Sequence, residues 1–282
     1  MDAVVCKNYE TSWLAKLDLT YLQRDKKTIL AGKKHSGPLI VQKPFYPESN
    51  GTCHTYLIHP PGGIVGGDQI RLSATLGRNS HALITTPAAT KFYRSNGNIA
   101  IQQQEFFVGE SSTLEWLPQE TVYFNDAFTS SKTKINIDSK TKLFAWEIQC
   151  LGLPAQKEFF TSGKCIQKFE IWKDNKPILL EANRLIGGDP ALTSDWGLQN
   201  NNAIGTFIIS GNDDIDLSSL VTTIKNNHQT VVAEHTSIHS FYIIRAMGEH
   251  TEKLKEFFIE IWKTLRPLIL GFEACPPRIW NT

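Results

Sequence analysis

The sequence predicts a mainly β protein in which many short strands are followed by two helices near the carboxyl end. In most of the chain apolar and polar residues alternate, as they do without exception between positions 70 and 76. Such alternation is typical of strands with one buried face. Glycines, including Gly77, Gly97 and Gly109, divide these segments at strand-and-turn spacing. Amphipathic helical spacing occurs only after position 215.

The predicted strands follow one another from Trp13 onwards. Apolar residues alternate between Trp13 and Leu19, which predicts a strand at the start of the chain. Asp174 and Asn175 predict a hairpin turn between two later strands, because both residues tolerate turn conformations. The predicted strands occupy residues 13–19, 28–31, 39–42, 55–58, 70–76, 81–85, 99–108, 113–117, 121–124, 134–137, 143–151, 167–172, 178–182 and 239–246.

Two amphipathic helices are predicted, at residues 216–226 and 251–265. Thr251 can cap the second helix, and Pro267 is expected to stop it. The second helix has a wide apolar face, which we expect to be a partner surface that leaves the isolated chain poorly soluble.

Composition bounds the class of protein. The 282 residues contain no linker rich in Pro, Gly or Ser, so residues 1–282 are predicted to form a single domain. Lys and Arg number 29 and Asp and Glu 28, which gives no basic excess for nucleic acid. Neither a signal peptide nor an apolar run of about 20 residues is present, so we expect a cytoplasmic protein without a membrane span. The cysteines are odd in number and lack C-x-x-C spacing, which indicates reduced thiols; they are Cys6, Cys53, Cys150, Cys165 and Cys275.

A loop rich in proline and glycine precedes the strand at 70–76 and organises the chain. It does not end in Gly-Lys-Ser/Thr and opens no helix, so it is neither a P-loop nor a dinucleotide fingerprint. A turn that needs glycine for its geometry is favoured over a ligand-binding loop. The loop consists of His59, Pro60, Pro61, Gly62, Gly63, Gly66, Gly67 and Asp68. Asp68 and Asp189 each follow a glycine pair and are both predicted to bond their own backbone in turns.

Two carboxylates lie inside apolar strand patterns, Glu147 and Glu181. A buried carboxylate is costly unless it is paired or meets a cation or water. The sequence leaves two alternatives about even: each acid points into solvent or pairs with Arg184 or a lysine, or each has a functional role.

A cluster of basic and aromatic residues follows the loop: Lys91, Phe92, Tyr93 and Arg94. We favour a protein interface for this cluster, because the near-zero net charge argues against nucleic acid. No stable metal site is predicted. His235 and His239 would lie two pleats apart on a strand, and Cys53 and His54 would point to opposite faces, so neither they nor His59 make a convincing ligand set.

Six motifs in fixed order resemble the family of urease accessory protein D, which is called H in some organisms. None of them is a catalytic signature, and together they cover nearly the whole chain. The motifs are GPLIVQKPFYPE at 37–48, HPPGGIVGGD at 59–68, LITTPAATKFYRS at 83–95, LEWLPQETVYF at 114–124, LLEANRL at 179–185 and RPLILGFEACPPRIWNT at 266–282.

The resemblance implies a two-layered β-helical wrap of strands and a scaffold that is not an enzyme. Members of the family bind apo-urease and, through urease accessory protein F, recruit the accessory GTPase G. Nickel would be in transit through an internal tunnel, with no tightly bound cofactor. Glu147 and Glu181 match acidic positions that resemble tunnel-lining ones. Ala145 and residues 151–158 depart from the pattern of relatives.

Two other functions remain open. A β-helical carbohydrate-active hydrolase could use Glu147 and Glu181 as paired carboxylates. A purely structural adaptor would have no metal role.

Overall fold

The chain forms a β-solenoid of about four turns, 50% strand and 15% helix, which confirms the mainly β prediction and the helical wrap. The computed structural model describes residues 13–211 and 215–281. In chain order the elements are β1 (Leu14–Arg24), β2 (Lys27–Ser36), β3 (Ile40–Val41), β4 (Cys53–Ile58), β5 (Gln69–Leu76), β6 (His81–Thr85), β7 (Thr90–Phe92), β8 (Ala100–Val108), β9 (Thr113–Trp116), β10 (Thr121–Tyr123), β11 (Ala127–Ile137), β12 (Lys142–Leu151), β13 (Gly163–Lys173), β14 (Lys176–Ile186), β15 (Ala203–Ser210), α1 (Leu217–Asn227), β16 (Val231–Ile238), β17 (Phe241–Gly248) and α2 (Thr251–Leu270).

The strands form two sheets that face each other. The first sheet has the order β14-β13-β11-β8-β5-β1-β2, and the second has the order β16-β17-β15-β12-β9-β6-β4-β3, in which β10 also pairs with β12 and β7 pairs with β10. From β4 to β13 each turn contributes one strand to the first sheet and one or two strands to the second sheet, and the neighbours in each sheet are parallel. Antiparallel strands complete both sheets at their ends.

Side-chain alternation fixes which face of each strand meets the core. Strands of the first sheet, such as β5, alternate between buried and exposed residues, because their outer face meets solvent. In contrast, β12 is buried along almost its whole length. Its inner residues, including Leu143 and Ala145, pack in the core between the sheets, whereas Phe144 and Trp146 pack under the helices.

Some elements differ from their predicted extents. Strand β11 begins at Ala127 instead of 134, and β7, β15 and β16 were not predicted. Pro267 does not stop helix α2, which corrects the prediction: the fixed φ of proline is compatible with a helix, and α2 continues to Leu270 and is capped by Gly271, whose φ is 80°. The predicted Thr251 cap is wrong: His250 is the N-cap, without a side-chain cap bond. Asp174 and Asn175, with φ of 50° and 59°, confirm the hairpin turn.

The apolar face of α2 is not a partner surface, which corrects the expectation from its amphipathic pattern. Leu254, Phe257, Phe258, Ile261, Trp262 and Leu265 are all fully buried against the second sheet. The inferred poor solubility therefore loses its main physical reason. In the described part of the chain, neither helix has the length and apolar character needed to cross a membrane.

A buried ionic network ties α2 to the solenoid. Arg266 and Glu115 are both fully buried, and Arg266 donates through Nε and Nη2 to Glu115 at 2.9–3.1 Å. Nη2 also lies 2.8 Å from Glu48, and Nη1 donates to the carbonyl of Glu273. Trp262 Nε1 donates to Glu115 at 2.7 Å, and His81 Nε2 lies 2.7 Å from the same carboxylate. Three separate motifs, around positions 48, 115 and 266, thus meet at one point.

Glu115 is held ionised by this network. Burial alone would raise its pKa, but hydrogen bonds and charge from His81 and Arg266 outweigh burial and lower the pKa to about 2. A lowered pKa stabilises the fold above the unfolded value of 4.5, and this stabilisation is lost as pH falls towards 2.

We expect Glu115→Gln to reduce the free energy of unfolding by about 3–5 kcal/mol, because it leaves the buried Arg266 short of a counter-charge. Urea denaturation at pH 7 measures this. Glu110→Gln is the control, since Glu110 pairs with Arg78 on the surface at 3.2 Å and should cost about 1 kcal/mol or less. An equal loss of unfolding free energy in the two variants would contradict the role of Glu115 in holding α2 to the solenoid.

Candidate functional site

A cavity of about 360 Å³ lies between the two sheets, beneath the organising loop. The loop and the segment after β6 form one side of it, and polar side chains from both sheets form the rest. Residues that line it include His59, Pro60, Gly62, Gly63, Lys91, Gln102, Gln104, Trp116, Gln119, Tyr123, Ser131, Glu147 and Gln149.

The loop is joined to the segment that contains Lys91 and Tyr93. Ile64 donates its N–H to the carbonyl of Lys91 at 2.7 Å, and Tyr93 donates to the carbonyl of Ile64 at 2.9 Å. Gly63 packs against the ring of Tyr93, where a Cβ would stand 2.1 Å from Cε2. The two motifs therefore build one wall together.

Turn geometry explains the rest of the loop. Gly67 has a φ of 99°, a region that favours glycine, and the carboxylate of Asp68 accepts the N–H of Val65 at 3.1 Å. Asp189 likewise accepts the N–H of Ala191 at 2.8 Å. These contacts confirm that both aspartates bond their own backbone in turns.

The interface predicted at positions 91–94 needs correction at Phe92. Phe92 is fully buried in strand β7 and stacks on Tyr123 with ring centroids 5.5 Å apart, so it cannot meet a partner. Lys91 faces the cavity. Tyr93 and Arg94 line a shallow surface depression with Val65, and remain candidates for a partner contact.

Glu147 lies inside the solenoid, so its predicted solvent-facing alternative is wrong. It belongs to the inner face of β12, because Phe144, Trp146 and Ile148 point the other way into the helix layer. Gln167 Nε2 donates to Glu147 Oε2 at 2.5 Å, and the Thr133 hydroxyl is hydrogen-bonded to Oε1.

Glu147 is poised to change its protonation near neutral pH. Burial raises its pKa, the charge of Glu181 raises it further, and hydrogen bonds from Thr133 and Gln167 lower it. The net pKa is about 7. The Thr133 hydroxyl also lies 2.7 Å from Gln104 Oε1. Because one hydroxyl has one proton, both contacts are satisfied when a protonated Glu147 donates to Thr133 and Thr133 donates to Gln104.

A row of polar side chains crosses the inner face of the first sheet in register. Gln102 of β8 pairs with Ser131 of β11, Ser131 with Gln167 of β13, and Gln167 with Asn183 of β14. Ser131 donates to Gln102 at 3.3 Å, and Asn183 donates to Gln167 at 2.9 Å. This row leads from the cavity to the edge of the sheet.

A second row faces it from the second sheet. Glu147 of β12 lies opposite Thr206 of β15, and Thr206 lies opposite Arg245 of β17. The two rows, with Gln104, Thr133 and Glu181, form what we call the polar band.

Glu181 lies at the outer end of the polar band. Thr206 donates to its Oε1 at 2.5 Å, and Arg245 donates through Nε to Oε2 at 2.9 Å. Glu181 is therefore paired, but the predicted partner is wrong: it is Arg245, and neither Arg184 nor a lysine. The sequence did not identify Arg245, because it lies 64 positions from Glu181 and on the other sheet.

Cys53 and His54, which the sequence offers as metal ligands together with His59, do not line the cavity. His54 bonds Glu48 at 2.7 Å, and Cys53 lies near Tyr46. Burial lowers the pKa of His59 at the cavity, against the charge of Asp68. The cysteines that the structure describes form no disulfide with one another, and Cys6 lies outside the described residues. Among residues 13–211 and 215–281, no three His, Cys, Asp or Glu side chains gather as a metal centre would require.

Glu147→Gln should keep every bond of the site, because its amide can donate to Thr133 and accept from Gln167. A raised pKa destabilises the fold as pH rises from the unfolded value of 4.5 through about 7. We therefore expect the variant and the parent to have equal melting temperatures near pH 4.5. At pH 8 the variant should melt at the higher temperature, and its unfolding free energy should exceed that of the parent by up to about 3 kcal/mol. Thermal melts across this pH range measure the difference. Parallel curves for parent and variant would contradict the raised pKa.

Gly63→Ala should destabilise the chain by about 1–3 kcal/mol, because the new Cβ overlaps the Tyr93 ring. The matched control is the double variant with Tyr93→Ala, which removes the ring. The two changes should then be non-additive in urea denaturation, and simple additivity would show that the loop does not pack through this contact.

Comparison with known proteins agrees with the motif resemblance. The family model described as UreD urease accessory protein matches residues 14–281. A urease accessory protein UreD of Enterobacter sp. (strain 638) is 40% identical over 285 residues and covers the whole of both chains. Those of Citrobacter koseri and Pseudomonas putida are 37% and 39% identical, over 100% and 97% of this chain and 96% and 95% of their own. This chain therefore belongs to the UreD family of urease accessory proteins, and its role is in urease maturation.

Proposed function

We propose that this protein passes nickel to apo-urease through the cavity and the polar band. It works in a complex with urease accessory protein F, which brings the GTPase accessory protein G. The observation that carries the proposal is a continuous row of polar groups, with two carboxylates, through an otherwise apolar solenoid.

The polar band costs stability, which favours a function for it. Buried polar groups that replace apolar ones gain little net stability even when they are bonded to one another. Glu147 in addition raises the energy of the folded state at neutral pH, because burial disfavours its charge. A purely structural core would be better filled by aliphatic side chains.

The chemistry of the band suits a metal in transit. Nickel binds most tightly to imidazole and thiolate, and carboxylate, amide and hydroxyl oxygens bind it more weakly. The potential ligands of the band are oxygens of this kind, among them those of Glu147, Glu181 and Gln104. Such ligands neutralise part of the charge of the ion without trapping it.

The hydrolase alternative gains no support from this geometry. Both carboxylate oxygens of Glu181 are bonded, one to Thr206 and one to Arg245, so neither is presented to a substrate as a base or nucleophile in this structure. Glu147 lies between the sheets and not on an open cleft.

Glu147→Gln and Glu181→Gln should fold, bind their partners and leave urease with less nickel. Pull-down with tagged chain tests the complex, and nickel per urease active site, measured by mass spectrometry, tests delivery. We expect the double variant to reduce nickel loading at least tenfold. Glu105→Gln is the control, because Glu105 lies on the same strand as Gln104 but pairs with Lys134 outside the band. Full loading by the double variant would leave the purely structural adaptor as the better account.

A further inference from the structure

Arg245 closes the outer end of the polar band. It extends from the second sheet to Glu181 on the first, with Nη2 2.7 Å from Oε2. The Arg245 side chain is 49% exposed, whereas that of Glu181 is 10% exposed. A guanidinium group thus fills the position at which the carboxylate of Glu181 would meet a cation.

The pair stands directly beside Glu147. Thr206 lies opposite both Glu147 and Arg245 in the ladder and donates to Glu181. A cation that leaves Glu147 towards this end therefore meets Glu181 next, and finds it bonded to Arg245. Because Glu181 is only 10% exposed, little solvent screens a cation from the guanidinium at the same carboxylate, and the two positive groups repel each other.

A second carboxylate is within reach of Arg245. Glu234 of edge strand β16 lies opposite Arg245, so both side chains emerge on the same face. Opposite residues in an antiparallel pair have Cβ atoms about 4.5–5.5 Å apart. The Glu234 side chain is 82% exposed and lies 3.2 Å from Lys225. Arg245 thus has two carboxylates within reach, the shielded one of Glu181 and the solvated one of Glu234.

We propose that Arg245 is the gate of the polar band: it closes the end by binding Glu181 and opens it by moving to Glu234 when a divalent cation takes its place. This inference rests on the proposed function and adds the group that controls the exit. Ion pairs with one solvated partner are weak, which allows the exchange. The closed pair also excludes monovalent cations from Glu181, because a cation with one positive charge is attracted to the carboxylate no more strongly than the guanidinium that it would displace.

Nickel binding to the purified full-length chain tests the gate without urease. Calorimetric titration with Ni²⁺ should show that Arg245→Gln binds about tenfold more tightly than the parent, because the competing guanidinium is gone. Adding Glu181→Gln should abolish the gain. Arg184→Gln, on the same strand as Glu181, is the charge-matched control and should behave as the parent. If Arg245→Gln does not fold, Arg245→Met, which keeps the aliphatic stem, replaces it.

Equal affinities for parent and Arg245→Gln would overturn the gate, as would a gain that persists after Glu181→Gln. In the delivery assay, Glu234→Gln should slow nickel loading at least threefold while the final loading stays unchanged; an unchanged rate would also contradict the proposal. Failure of the proposed function is distinguishable, because it would appear as full loading by the Glu147→Gln and Glu181→Gln double variant, whatever the nickel affinity of Arg245→Gln.

Discussion

The buried pairing of Arg266 with Glu115 is the interaction on which the rest of the structure depends. Neither charge could be buried alone, so the end of α2, strand β9 and the segment around Glu48 must come together. With α2 held there, the outer face of the second sheet is covered, and Trp146 and Phe144 have a layer to pack against. The alternation of β12 then directs Glu147 to the inner face.

The solenoid combines two opposing requirements. Its apolar residues supply the stability, and the polar band interrupts them along registered positions of neighbouring strands. Parallel stacking makes this possible, because a residue type repeated at one level of successive turns becomes a continuous row. The buried pairing of Arg266 with Glu115 therefore stabilises a fold whose interior is not optimised for stability alone.

Strand alternation was readable from the sequence, and so were the loop and its turns, because each depends on local spacing. Strand β15 was missed since six consecutive residues are buried, which hides the alternation. Phe92 was misplaced because its burial depends on Tyr123, which is distant in sequence. The apolar surroundings of Glu147 and Glu181 marked both acids as unusual.

The polar band itself could not be predicted. Gln102 and Gln104 have the same spacing as residues on a solvent face, and only the solenoid turns them inwards. The register between strands, and so the pairs Ser131–Gln167 and Thr206–Arg245, is set by the packing of all turns together. One local signal was present: Phe106 and Val108 continue the same face as the glutamines, and both are apolar.

The most direct test of the account is nickel loading of apo-urease by the Gln104→Met variant. Methionine has a similar volume, so the fold and the partner complex should remain, while the band loses a polar group that contacts Thr133. If polarity along the band carries nickel, the nickel content per urease active site should fall several-fold although the complex forms normally. Parent-level nickel content in that complex would contradict the account, because the interior would then be polar without conducting the ion.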